Sequence, residues 1–280
     1  MLGAVCGDVI GRPYEFENPV RTKDFQLFTE ASRFSDDTVL TDAVAHAAMT
    51  GAPYGDALVD FGVRHLAQGF SKGFKAWLLD PERGMGDSYG NGSAMRVSPV
   101  AWVARDLGEA IGMARDSALP SHGHPEGIKG AIATAAAVRM AIEGFSQEDI
   151  RQRVASLTGY DLDRTVDGIR ANYPRFKTTC PDSVPEAIVC ALEATSYEDA
   201  VRNAVSLGND ADTQAAIAGA IAEPIFGVPA WIEANAVATL PEDIRRVLAQ
   251  FQDRYAATRD ESVARHAERM AREGFGAAVR

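Results

Sequence analysis

GNDADTQAAIAGAIA, Gly208–Ala222, begins with two aspartates and a threonine and runs directly into small apolar residues. Alanine-rich apolar runs of this kind are strong helix formers, and the pattern predicts a helix over Thr213–Ile221. The arrangement occurs a second time. FSDDTVLTDAVAHAAM, Phe34–Met49, places Ser35, Asp36 and Asp37 ahead of another such run. There Val39, Leu40, Ala43, Val44, Ala47 and Ala48 recur at the helical period and predict a helix over Thr38–Met49. Two helices that each start on acid, acid and hydroxyl set both the fold class and the chemical question.

Working outward, most of the chain reads as helix. Gly3, Gly7 and Gly11 recur every four residues, so the helix over Met1–Ile10 has a smooth face that a neighbour can approach closely. Tyr54–Ala67 predicts another helix. Glu126–Glu143 contains AIATAAAVRMAI, apolar enough to be central. Ser183, Pro185 and Glu186 give a start signal for a helix through Leu192. Tyr197–Leu207 follows, and Pro241–Tyr255 and Glu261–Arg272 read as two charged amphipathic helices. Alternating strand patterns are scarce. The prediction is an all-α fold, a compact orthogonal helical bundle, with one domain over 1–258 and a charged, solvent-facing C-terminal helix or tail over 259–280.

Composition narrows the function. The 280 residues carry a formal net charge of −11, which argues against a nucleic-acid backbone as partner but leaves anionic small molecules open, because a local site can oppose the net sign. Cys6, Cys180 and Cys190 are odd in number and unpatterned, which favours a reducing cytoplasm. No apolar run reaches the roughly 18 residues of a spanning helix. The N-terminal MLGAVCGDVIG lacks a basic region and includes Asp8, so it reads as a core helix rather than a leader or membrane segment.

The acid clusters admit two readings. Ser and Asp are favoured N-caps, and acids in a first turn suit the helix dipole. Capping accounts for one or two such residues per helix, not for two acids and a hydroxyl at both starts. If the two starts converge, the carboxylates repel one another unless protons or cations neutralise them. A ligand set of oxygens without His or Cys selects hard ions such as Mg²⁺, Mn²⁺ or Ca²⁺, with Ser35 and Thr213 available to complete the shell.

Three further stretches carry less specific signals. DSYGNGSAMRVSP, Asp87–Pro99, combines Gly90, Gly92 and Ser93, whose backbone N–H groups suit a phosphate, with Tyr89, which can stack on a base or cover a ribose. The same residues also make an ordinary tight turn. SHGHPEG, Ser121–Gly127, places His122 and His124 ahead of a helix with no further zinc ligands nearby, so that one of them bonding the helix start is the simpler reading. GDVIGRPYEF sets Glu15 after a turn fixed by Gly11 and Pro13, where an isolated Glu is ordinarily solvated.

Taken together, GDVIGRPYE, FSDDTVLT, SYGNGSAMR, HGHPEG and GNDADTQAAIAGAIAEPIFG, in this order over about residues 1–230, resemble the ADP-ribosylglycohydrolase family. The resemblance implies an all-α fold with two Mg²⁺ or Mn²⁺ ions at the base of an ADP-ribose cleft. It implies that Ser35, Asp36 and Asp37 ligate metal from one side and Asp210, Asp212 and Thr213 from the other. It further implies Glu15 beside the scissile bond and the metal centre, with Glu15 or one of Asp36 and Asp37 as the catalytic carboxylate. The stretch Ser88, Tyr89, Gly90, Asn91, Gly92 and Ser93 would line the diphosphate and distal ribose, and His122 would face the substrate.

The activity implied is metal-dependent hydrolysis of the bond between ADP-ribose and an acceptor, a protein or small molecule, with free ADP-ribose as product. An arginine-linked adduct is favoured over serine or other O-linked ones. The alternative is a non-catalytic ADP-ribose binder of the same fold; the presence of Glu15 and all four aspartates favours the enzyme. The family resemblance also implies a monomer. Three departures stand out. Ser35 replaces a more common Thr, Asn209 stands where Gly is frequent, and Arg12 replaces a small residue. Beyond about Pro229 the sequence matches no motif.

Overall fold

In the computed structural model, which describes residues 1–16, 19–174 and 176–273, the Gly208–Ala222 stretch opens the central helix of the molecule. Among the described residues there are fifteen α-helices and no strand. In chain order the first eight are α1 Leu2–Gly11, α2 Asp36–Thr50, α3 Tyr54–Arg64, α4 Lys72–Leu79, α5 Gly92–Met95, α6 Ser98–Val103, α7 Leu107–Ala118 and α8 Pro125–Ile142. They continue as α9 Gln147–Thr158, α10 Val166–Asn172, α11 Cys180–Leu192, α12 Tyr197–Val205, α13 Ala211–Phe226, α14 Ala230–Ala238 and α15 Glu242–Arg272. A short 3₁₀ turn over Arg12–Tyr14 follows α1 directly.

Helix α13 is buried from Ala211 to Ile225, and α1 is buried along its whole length. A helix apolar all round belongs inside a large core. The glycine face of α1 explains how two helices pack so closely there. A Cβ at Gly3, Gly7 or Gly11 would sit 2.2, 2.1 or 2.5 Å from the backbone oxygen of Gly219, Ala215 or Ala211. The crossing therefore requires the missing side chains. It is locked by the Tyr197 hydroxyl, which donates to Gly3 O at 2.7 Å, and by Glu223, which accepts from Gly3 N at 2.9 Å. Helices α8, α11 and α12 pack around α13, and α2 packs beside α1.

The C-terminal region differs from expectation. Instead of two separate helices, Pro241–Tyr255 and Glu261–Arg272, α15 is one helix through the boundary at 258, so the expected C-terminal helix or tail is helical to Arg272. Residues Ala256–Asp260 contain no Gly or Pro to stop it. Its later turns dock on the C-terminal ends of α8 and α13. Ser262 Oγ donates to Pro224 O at 2.8 Å, buried His266 bonds Ala141 O at 2.7 Å, and Arg265 donates to Ile142 O at 2.7 Å. These contacts give further partners to carbonyls in the last turns of the two helices. Residues 274–280, the end of the expected tail, lie outside the described residues. Helix α11 starts three residues earlier than predicted, at Cys180, with Pro181 in its first turn.

Candidate functional site

The capping question at the two helix starts is resolved by which atoms do the capping. Ser35 is the N-cap of α2, and its hydroxyl accepts from Asp37 N at 3.1 Å. Asp8, from α1, accepts from Ser35 N at 2.9 Å, Thr38 N at 3.1 Å and Ser35 Oγ at 2.7 Å. At α13 no side chain caps the start. Capping thus leaves the carboxylates of Asp36, Asp37 and Asp210 available for another role, while Asp212 Oδ1 accepts from the first-turn amide of Thr213 at 3.0 Å and keeps its Oδ2 for the cleft. All four line one cleft of about 360 Å³, together with Glu15, Thr213, Asn91 and His122. That volume is in the range of small-molecule sites.

The acids meet in two overlapping triads, Asp8–Asp37–Asp212 and Glu15–Asp210–Asp212, whose ligand atoms lie within 4.8 Å of one another. Thr213 Oγ1 donates to Asp37 Oδ2 at 3.3 Å and ties the two helix starts together. Asp210 Oδ2 accepts from Asn91 Nδ2 at 2.7 Å. Asp37 is 3% exposed, and its Oδ1 has no hydrogen-bond partner. A buried, unpaired carboxylate oxygen facing other carboxylates is unstable as a charge unless a cation or proton compensates it.

The electrostatics agree. Burial, followed by the charge of Asp212, raises Asp8 to about 6, Glu15 to about 7 and Asp36 to about 8. The same two causes push Asp37 and Asp210 well above the ordinary carboxylate range. The donor set is all oxygen, which fits a hard divalent cation.

The rest of the cleft lining is built largely from the glycine-rich and histidine loops. Isolated β-bridges, Asp87 with His122 and Gly90 with Thr179, hold the two loops and the start of α11 together. His122 Nδ1 bonds Ser121 Oγ at 2.8 Å, and Ser121 Oγ accepts from Arg96 Nη2 at 2.8 Å. Burial and then Arg96 hold His122 well below its ordinary pKa, so the ring is neutral. Arg96 is wholly buried and lowered to about 9 by desolvation, and its Nε and Nη1 have no partner. Phe74 completes this wall. His124 does what the simpler reading expected, since its Nδ1 accepts from Glu126 N at 3.1 Å and starts α8.

Not every expected residue reaches the cleft. The Ser35 hydroxyl is used in capping and in its bond to Asp8. Ser93 is buried and donates to Gly127 O at 2.7 Å. Tyr89 is half exposed on the rim against His124, ring centroids 5.2 Å apart. The amides of Gly90 and Asn91 donate to Ser88 Oγ and Thr178 O, so they are not free for a phosphate. Ser88, Gly90, Asn91, Gly92 and His122 do line the cleft. Asn209 has φ +68°, the left-handed conformation a glycine would adopt, which Asn tolerates. Asp8, Phe74 and Arg96 were missed as site residues. Asp8 had one legible signal, a lone acid in an otherwise apolar helix.

An all-helical fold built around an acid-floored cleft between two helix starts defines the kind of protein this is. The chain belongs to the ADP-ribosylglycohydrolase family, whose model matches residues 1–267. The match extends past Pro229 into α15, where the sequence showed no motif. The chain is similar to the ADP-ribosylhydrolase ARH3 of Mus musculus, 25% identical over 317 residues that cover 81% of this chain and 83% of the relative. The ARH3 of Homo sapiens is 24% identical, covering 81% and 84%. The ADP-ribosylarginine hydrolase Tri1 of Pseudomonas putida (strain GB-1) is 24% identical over 275 residues, covering 83% and 72%. A solved structure described as an ADP-ribosylglycohydrolase-related protein complex shares the fold, with a TM-score of 0.62, 22% identity and 95% of each chain covered.

Proposed function

We propose that this protein is a metal-dependent hydrolase that cleaves the glycosidic bond between ADP-ribose and an acceptor. The observation that carries the reading is the convergence of two helix starts on one cleft floor, with four aspartates, more than the helix starts use, and Asp37 Oδ1 unpaired. Asp36, Asp37, Asp210, Asp212 and Thr213 would hold Mg²⁺ or Mn²⁺, and the two triads offer two positions. Bound there, the ions supply positive charge that orients the distal ribose through its hydroxyls.

The remaining steps belong to the chain's own residues. Glu15 lines the cleft, is partly exposed, and is raised to about 7, which suits a group that exchanges protons near neutrality. It takes a proton from the attacking water as the water oxygen bonds C1″ and the bond from C1″ to the acceptor breaks. The acceptor leaves with the bonding pair and picks up a proton. Neutral His122 and the loop from Ser88 to Gly92 line the same cleft and would wall the substrate there. The carboxylates on the cleft floor favour a cationic leaving group, which supports an arginine-linked adduct over an O-linked one. Three buried, unpaired thiols suit the cytoplasm.

The test is release of free ADP-ribose from arginine-, serine- and acetyl-linked substrates, with Mg²⁺, Mn²⁺ or EDTA. Metal-dependent release from the arginine-linked substrate is expected, and Asp212→Ala should lose metal binding and turnover together. Full activity in D212A would overturn the metal assignment. A rise in melting temperature with ADP-ribose but no release from any linkage would mark a binding protein instead.

A further inference from the structure

Arg12 reaches into the acid cluster from the end of α1. Its Nη1 donates to Asp212 Oδ2 at 2.9 Å and also to Glu15 Oε2. It thereby contacts two of the three members of the Glu15–Asp210–Asp212 triad, and neither of the other two acids of the Asp8–Asp37–Asp212 triad. Among the described residues no other Lys, Arg or His forms an ion pair with these acids. The guanidinium has a built seat. Gly69, at φ +96°, leaves room for it, since a Cβ there would lie 2.9 Å from Arg12 Nη2 and 3.3 Å from Asp36 Oδ1. Asp37 Oδ1, the unpaired oxygen, belongs to the other triad, where Arg12 touches only the shared Asp212 and leaves Asp8 and Asp37 without a side-chain cation.

We propose that Arg12 is a resident competitor for the outer of two cation positions: the first divalent ion enters the Asp8–Asp37–Asp212 triad, and a second must displace the guanidinium from Glu15 and Asp212. The inference rests on the metal reading above and adds an order and an inequality to it. Removing the guanidinium frees the outer carboxylates, so the second ion binds more tightly while the first is little changed. The guanidinium also holds Glu15, so the outer position governs when that carboxylate becomes free.

The experiment is Mn²⁺ binding to the full chain, followed by the paramagnetic resonance signal of free Mn²⁺ and by native mass spectrometry. Wild type, Arg12→Gln and Arg12→Lys are compared. Wild type should bind two ions in two resolved steps. In R12Q the second step should tighten by at least about tenfold, the scale of removing a like charge a few ångström from the ion, with the first step within threefold or so. R12K keeps the charge and should stay close to wild type, which also serves if R12Q folds poorly. Two equal steps in wild type, or a change confined to the first step in R12Q, would overturn the competitor role while leaving the metal centre standing. No binding by any of the three would overturn the metal reading and this inference with it.

Discussion

Gly7→Ala tests the crossing on which the site depends. The added Cβ would lie 2.1 Å from Ala215 O, 2.4 Å from Ala215 C and 2.8 Å from Ala216 N. All three are backbone atoms of α13, so no side chain can rotate away. Restoring ordinary contact needs α1 and α13 to part by roughly 1.3 Å in a close-packed core. Overpacking costs about 1–3 kcal/mol, and backbone on both sides places this case at the upper end. Ala gains back about 1 kcal/mol in helix propensity. A net loss of about 2 kcal/mol lowers the melting temperature by about 4–8 °C for a chain of this size. Gly112→Ala is the control. Gly112 is an exposed position within α7 where a Cβ meets nothing within 4 Å, and the change should stabilise by up to about 1 kcal/mol. Calorimetry and urea unfolding read both. Asp8 lies on α1 and Asp212 on α13, so G7A should also reduce the melting-temperature rise produced by Mn²⁺. A G7A protein that melts at or above wild type, with G112A behaving as described, would refute the claim that the crossing depends on the absent side chain.

Two other outcomes follow from buried acids. In EDTA, Asp8, Glu15 and Asp36 have folded pKa values of about 6, 7 and 8 against ordinary values near 4. The native state therefore binds more protons, and the metal-free melting temperature should fall as pH rises from 5 to 8. Saturating Mn²⁺ should flatten that slope, and an EDTA profile that rises with pH would contradict it. Away from the cleft, Asp42 on α2 is fully buried with neither oxygen bonded, and burial and then Asp243 raise its pKa well above the ordinary value. Asp42→Asn removes the cost of a carboxyl that ionises in the unfolded chain but not in its buried site, and should stabilise by at least about 1 kcal/mol at pH 8, one pKa unit of difference being worth about 1.4 kcal/mol. Because the raised pKa makes wild type lose stability as pH rises, the gain should shrink toward pH 4; urea unfolding at both pH values decides it.

The sequence by itself determined the helical class and the residues that carry the chemistry. Apolar periodicity and alanine-rich runs gave α2 over Asp36–Thr50, α8 over Pro125–Ile142 and α13 over Ala211–Phe226 to within a few residues, because such runs bury themselves only as helices in a core. The glycines of α1 announced a close neighbour because spacing of four places them on one face. Helices α7 and α9 went unread although their caps were legible, Asp106 before Glu109 and Ser146 paired with Asp149.

Tertiary structure decided the rest. Whether the acids at two helix starts are caps or a site depends on what else reaches them, and Asp8 arrives from a third helix to share the capping of α2 with Ser35. Whether a loop amide is free depends on its partner, and those of Gly90 and Asn91 are occupied. The pattern of α15 cannot reveal that its later turns meet the ends of α8 and α13. Periodicity reports which face of an element is buried. It says nothing of which other elements converge there, because charge, burial and hydrogen bonding at a site are set by groups far apart in the chain.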